Sequence, residues 1–161
     1  MEPNVKSEAT TKAKDRTIDV VVDVAQLFFI ANPTEQQVDE YTALIDDAGF
    51  GSPMRSPSKD YEVEVYRGKK VTWSIRKSDP HAFFILSLMA VYQDPKAGTL
   101  YFNENPLTQG RDGTISGTVM NLPDIPEPDD VYTIKFRITN PIDNTYRDCT
   151  IDPKLKLNPE R

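Results

Sequence analysis

The chain has 161 residues, of which 38% are hydrophobic and 13 are prolines, and its formal net charge is −6. This length suffices for one domain with its own core, while the acidic balance disfavours nucleic acid and anionic membrane surfaces as partners. The single cysteine excludes an intramolecular disulfide, and no run approaches the ~18 apolar residues that a membrane helix needs.

The first sixteen residues are polar and of mixed charge, with no apolar periodicity and no apolar stretch like that of a secretory signal. We therefore predict a flexible arm over residues 1–16 and a single domain over residues 17–159. The alternative is an arm that becomes ordered against a neighbouring subunit. A cytoplasmic location is the simplest expectation, with export by a route that reads no N-terminal signal as the alternative.

The first predicted elements are a strand and a helix. From Thr17, valine and isoleucine alternate with other residues, which indicates a strand with one apolar face, and residues 25–30 either extend it or begin a helical turn. Thr34 followed by Gln37 fits a capping box, and apolar residues at helical spacing come after it. We predict one short α-helix over residues 35–46, before a loop over residues 47–60.

The remainder of the chain is β in character. Alternation over residues 61–75, interrupted by Arg67-Gly68-Lys69, predicts a hairpin, and the apolar run over residues 82–92 predicts a central strand with both faces covered. The further predicted strands span residues 99–102, 114–120, 131–139 and 146–151. About eight strands and one helix indicate a mainly β fold, a two-sheet Greek-key sandwich.

Residues suited to catalysis are few. His81 follows Asp79-Pro80 in a predicted surface turn, and Cys149 lies in a predicted strand, where a free cysteine is usually a small buried hydrophobe. A nucleophilic Cys–His pair is the alternative. The chain also lacks the glycine-rich phosphate-binding motifs. We predict no catalytic residues, no cofactor and no enzymatic activity.

Two features have a binding interpretation as well as a structural one. The run over residues 124–130 is a predicted solvated loop, and its carboxylates, Asp124, Glu127, Asp129 and Asp130, are weak calcium candidates, because its prolines hinder convergence on one ion. Trp73 is the only tryptophan. It is predicted to anchor the core, and the alternative is a platform on which a ligand stacks.

Two resemblances bear on the fold. Residues 68–73 resemble the hairpin of cupredoxin-like domains, but type 1 copper needs two histidines and a cysteine, and the chain has one histidine. Residues 17–23, 71–73 and 146–159 together resemble bacterial inclusion-body proteins of the PixA/AidA type. Those proteins share the Ile-Asp-Val opening strand, the central tryptophan and the aromatic strand that runs into Asp-Pro.

This second resemblance covers most of residues 17–159 and implies a metal-free β-sandwich, self-association and no catalytic residues. The chain departs from the pattern at Ile151, where the family usually has tryptophan. We therefore expect a non-catalytic β-sandwich that associates with itself or with another protein, as a subunit or cargo of a larger bacterial assembly. The alternative is a module that binds a carbohydrate or small ligand through its proline-rich loops.

Overall fold

The structure is a computed structural model that describes residues 13–49, 51–96, 99–123 and 129–158. Its described part is mainly β, as predicted, with two short α-helices, α1 (Val24–Leu27) and α2 (Glu35–Glu40). The strands are β1 (Arg16–Val22), β2 (Thr42–Asp46), β3 (Gly51–Ser52), β4 (Glu62–Tyr66), β5 (Lys70–Lys77), β6 (Ile85–Tyr92), β7 (Leu107–Thr108), β8 (Ile115–Thr118), β9 (Asp129–Val131), β10 (Thr133–Thr139), β11 (Tyr146–Ile151) and β12 (Lys154–Asn158).

The described strands form three hydrogen-bonded sheets, where the sequence predicted two. The first has the order β3-β2-β1-β5-β8, the second β11-β10-β6-β7 and the third β4-β12-β9. The pairs β1–β5 and β4–β12 are parallel, and the other pairs are antiparallel. Buried side chains from all three sheets, including Ile18, Trp73, Phe136 and Leu157, pack into one apolar core.

The predicted helix over residues 35–46 is too long. Its capping box forms, with the Gln37 backbone N–H donating to Thr34 Oγ1 (3.2 Å) and the Thr34 N–H donating to Gln37 Oε1 (2.9 Å), but the helix ends at Glu40. Residues 42–46 instead form β2, in register with β1. Pairing with β1 supplies backbone hydrogen bonds to these residues. The helical spacing of the apolar residues gives no sign of this partner strand. Residues 24–27, which the sequence left open, form α1.

The predicted hairpin over residues 61–75 is also wrong. The turn is present, with Gly68 at a φ of 73° and the Lys69 N–H donating to the Tyr66 carbonyl (3.1 Å). However, β4 pairs with β12, whereas β5 pairs with β1 and β8. The chain therefore crosses from one sheet to another at this turn, and the apolar faces of the two strands reach the same core from different sheets.

Two further predicted strands differ from the structure. Residues 99–102 form no regular strand; the Gln93 side chain binds this segment, accepting from the Tyr101 N–H (2.9 Å) and donating to the Thr99 carbonyl (2.9 Å). β6 is central in its sheet, but only one of its faces is covered, because Leu88 and Val91 are buried while Ile85 at its start is exposed.

The ends of the predicted domain lie near the limits of the described residues. β1 begins at Arg16, whose buried guanidinium donates from Nε to the Glu64 carbonyl (3.1 Å) and pairs through Nη1 with Asp47 Oδ1 (3.0 Å). Residues 1–12 of the predicted arm, and residue 159 at the predicted end, are outside the described residues. No helix in the described part of the chain is long and apolar enough to cross a membrane.

Candidate interaction surface

Four phenylalanines cluster where α1 ends and the chain enters β6. Phe28 and Phe84 are buried with ring centroids 4.7 Å apart, while Phe29 and Phe83 pack on them from outside. The Phe83 and Phe84 rings are stacked at 4.5 Å, and Phe28 and Phe29 meet edge to face at 5.4 Å. In each pair, one ring enters the core and the other remains at the surface.

The neighbouring sheet adds more apolar side chains at this end. Ile85 of β6 and Tyr146 of β11 both pair with Thr139, so their side chains share one face of the sheet. Ile142 lies in the turn that joins β10 to β11. The Arg147 Nε donates to the Phe28 carbonyl (3.0 Å), which ties β11 to the phenylalanine cluster.

We call this surface the apolar end. Its five side chains are between 51% and 82% exposed. They are Phe29, Phe83, Ile85, Ile142 and Tyr146. The other exposed large apolar residues in the described part of the chain, Ile45, Tyr92 and Val131, lie on other strands or at the far end of β6. Grouped exposure of this kind marks interaction sites, whereas scattered exposed residues are ordinary.

Charged groups of both signs border the apolar end. Arg137 binds Asp148 through two hydrogen bonds (2.7 and 3.1 Å), and its guanidinium lies 3.9 Å from the centre of the Tyr146 ring. The hydrogen bonds from Arg137 hold the pKa of Asp148 below its ordinary value. Arg76 pairs with Asp19 at 2.6 Å. Arginine held against an aromatic ring is a common feature of binding hot spots.

An open cleft of about 530 Å³ adjoins the apolar end, between β5 and residues 83–86. Ile75, Phe83 and Leu86 contribute to its apolar walls, and Arg76 lies at its edge. The Lys77 ammonium donates to the carbonyls of Ala82 and Phe84, the second at 3.1 Å. These bonds fix the segment that presents Phe83. The arrangement is suited to receiving an apolar side chain.

Trp73 lies on β5 and is fully buried. Its ring packs against Phe102 and Tyr132, with centroids 5.8 and 5.7 Å away, and its Nε1 donates to the Tyr132 hydroxyl (3.1 Å). The ring therefore has no exposed surface to offer a ligand in this structure.

The other predicted site residues do not form a common site in the described part of the chain. His81 is exposed in a turn, where its backbone N–H donates to Asp79 Oδ1 (3.0 Å), whereas Cys149 is buried opposite Phe136. The described residues contain no group of three or more histidine, cysteine, aspartate or glutamate side chains placed to hold a metal ion. Asp124 and Glu127 lie outside the described residues; Asp129 and Asp130 begin β9, and their side chains are not described.

Burial controls the chemistry of Cys149. Desolvation, with a smaller contribution from Asp148, raises the pKa of its thiol from 9.0 to about 11. We expect iodoacetamide at pH 8 to label the folded chain at least about 100-fold more slowly than the urea-unfolded chain, because the thiolate is scarce and enclosed. Mass spectrometry of timed samples measures this ratio. Equal labelling rates would contradict the buried placement of Cys149.

The raised pKa of the Cys149 thiol also makes the free energy of unfolding depend on pH. Because the folded pKa lies above the unfolded one, the stabilising contribution is complete below about pH 9 and is lost as the pH rises towards 11. We expect the fall in unfolding free energy over this range to be smaller in Cys149→Ala than in the parent chain.

The sequence analysis missed the apolar end. The signal in the sequence that could have located it was the two pairs of adjacent phenylalanines, which depart from the alternation of apolar and polar residues. Which ring of each pair faces outward depends on the neighbouring sheet, so the sequence pattern by itself does not locate the surface.

No protein-family model matches the chain, and no curated protein matches it. Among solved structures, the chain is similar to an inclusion body protein (PixA) from Burkholderia cenocepacia J2315. The alignment covers 90% of this chain and 96% of that one, with a TM-score of 0.59 and 11% sequence identity.

The two chains share a fold. The resemblance to PixA-type proteins that the sequence indicated is therefore confirmed at the level of the fold.

Proposed function

We propose that this chain is a non-catalytic protein that associates with further copies of itself through the apolar end, as a subunit or cargo of a larger assembly. The observation that carries the proposal is the grouping of five exposed large apolar side chains at one end of the molecule. Leaving these side chains in water is unfavourable, and a partner surface removes that cost.

The charge around the apolar end favours a second copy as the partner. A twofold interface brings the same surface of two copies together, so a surface whose charges all had one sign would repel its copy. Here Arg137 lies beside Asp148, and Arg76 lies beside Asp19. The arginines of one copy can therefore face the aspartates of the second copy. The structurally similar protein from Burkholderia cenocepacia J2315 is an inclusion body protein, which is consistent with a protein that assembles.

The proposal can be tested with a matched pair of double variants. We expect Phe29→Ser with Ile142→Ser to weaken self-association at least about tenfold, because both side chains belong to the apolar end. The control is Ile45→Ser with Val131→Ser, two residues that are 43% and 48% exposed elsewhere on the surface. Sedimentation velocity over a dilution series measures the association constant for all three chains.

Two results would contradict the proposal. One is a parent chain that stays monomeric at millimolar concentration. The other is a control variant that dissociates as readily as the apolar-end variant. Circular dichroism of each variant shows whether the fold is retained.

A further inference from the structure

The turn between β10 and β11 holds one apolar side chain out in solvent. Ile142 is 82% exposed, more than any other large apolar side chain in the described part of the chain. The Asn140 N–H donates to the Thr145 carbonyl (2.8 Å), and the Asn144 N–H donates to the Asn140 carbonyl (2.8 Å). The Ile142 N–H itself donates to Asn140 Oδ1 (3.0 Å). These bonds present Ile142 on a fixed backbone, which lowers the entropy that binding would cost.

The cleft beside the apolar end is suited to receiving such a side chain. It lies between β5 of the first sheet and the start of β6 in the second sheet. Two of its lining residues, Ile75 and Leu86, are half-buried and pack on the core, and Phe83 is exposed. An apolar side chain in the cleft would therefore remove the remaining exposed surface of these three residues from water.

The turn and the cleft are neighbours at the same end of the molecule. Ile85, which lines the cleft, pairs with Thr139, the last residue of β10 before the turn. Paired strands lie about 5 Å apart, so only a short distance separates the turn from the cleft. A twofold axis that passes between them would bring the turn of each copy to the cleft of the other, and two identical contacts would form together.

Charge also matches the turn to the cleft. Asp143 follows Ile142 in the turn and is exposed, while Arg76 is exposed at the edge of the cleft. Arg76 donates to Asp19 through Nε. No acceptor among the described residues binds its two other guanidinium nitrogens. An aspartate that arrives beside Ile142 would meet these donors as the isoleucine enters the cleft.

We infer that Ile142 of each copy enters the cleft between β5 and residues 83–86 of a second copy, with Asp143 beside Arg76, and that the two contacts are related by a twofold axis. This inference rests on the proposed function. It adds which side chains meet and how the two copies are arranged.

Two variants remove opposite halves of the contact. Ile142→Ser removes the side chain that enters the cleft, and Phe83→Ser removes an apolar wall of the cleft. Both positions are exposed, and neither change adds a charge. We expect each variant to self-associate at least about tenfold more weakly than the parent chain in sedimentation velocity. Ile45→Ser, at an exposed position on β2, is the control and should associate as the parent chain does.

Mixing the two variants tests the contact itself. Each variant with its own copy lacks both contacts, whereas a mixed pair keeps one, because Ile142 of the Phe83→Ser chain meets the intact cleft of the Ile142→Ser chain. We expect the mixed pair to form at least about tenfold more tightly than either variant associates with itself. Titration of one dye-labelled variant with the other measures this affinity. A mixed affinity that lies between the two self-affinities would overturn the inference.

The charged part of the contact has its own test. Asp143→Asn keeps the Oδ1 acceptor for the Thr145 N–H (3.0 Å) and removes the charge. The matched control is Asp94→Asn, where Oδ1 accepts from the Lys96 N–H in a similar turn (2.9 Å). Both variants reduce the net charge of −6 equally, which by itself favours association. We expect Asp143→Asn alone to weaken association, at least about threefold at low salt. Equal affinities for the two variants would contradict the Asp143–Arg76 contact.

The outcomes separate this inference from the proposed function. A parent chain that stays monomeric at millimolar concentration contradicts both. A parent chain that associates, with no recovery in the mixed pair, overturns only the inference. Weakening by Phe83→Ser without weakening by Ile142→Ser would mean that the cleft receives another group, and it would also overturn the inference. Circular dichroism shows whether each variant retains the fold.

Discussion

Replacing Trp73 with alanine should lower the free energy of unfolding by about 3–5 kcal/mol, the usual range for a buried aromatic residue. Trp73 is fully buried between Phe102 and Tyr132, and its removal leaves a cavity that these rigid neighbours cannot fill. The loss also leaves the buried Tyr132 hydroxyl without the indole donor (3.1 Å).

Urea denaturation followed by far-ultraviolet circular dichroism measures this change without relying on the tryptophan signal. Tyr132→Phe separates the hydrogen bond from the packing, since it keeps the ring and leaves Nε1 unpaired, and it should cost about 1–3 kcal/mol. Ile142→Ala, at a position that is 82% exposed, is the control and should cost less than about 0.5 kcal/mol. A loss below about 1 kcal/mol for Trp73→Ala would contradict the placement of Trp73 in the core.

Replacing Gly117 with valine should destabilise the fold by about 1–3 kcal/mol through overpacking. A Cβ at this position of β8 would lie 2.9 Å from both Leu107 Cδ1 and Phe102 Cδ1. Both side chains are buried, and Phe102 also packs on Trp73, so neither has free space to move into.

Gly110→Val is the matched control, because a Cβ there meets its nearest atom, the Thr114 carbonyl oxygen, at an ordinary 3.5 Å. Its unfolding free energy should change by less than about 0.5 kcal/mol. Combining Gly117→Val with Leu107→Ala should cost less than the sum of the two single changes, since the smaller side chain makes room for the added methyl groups. Strict additivity would show that the clash with Leu107 is not the cause.

The elements that the sequence located well are those with a strong local pattern. Alternation of buried and exposed residues marked β1, β10 and β11, and the Thr34–Gln37 pair marked the start of α2. The short resemblance to PixA-type proteins was sufficient to indicate the shared fold. In each of these cases, the information lies within a few consecutive residues, because side-chain direction alternates along a strand and repeats every turn of a helix.

The errors share a physical cause. Residues 42–46 became a strand because β1 offers them a partner. Residues 99–102 meet residues 119–120 only at an isolated bridge, and the Gln93 side chain binds the rest of this segment. The sequence also placed both strands of residues 61–75 in one sheet. Backbone hydrogen bonds are alike in every strand, so a sequence pattern shows that a strand needs a partner without showing which strand it will be.

The same distinction applies to the candidate sites. Composition alone restricted histidine and cysteine chemistry to His81 and Cys149, and the single tryptophan pointed to the core residue Trp73. The apolar end depends on side chains brought together from distant parts of the chain, because Phe29 packs on Phe84, which is stacked on Phe83. The sequence by itself determined a mainly β chain with a strongly apolar interior. Only the tertiary structure decided which apolar and charged groups the core left outside, because that choice depends on how three sheets pack against one another.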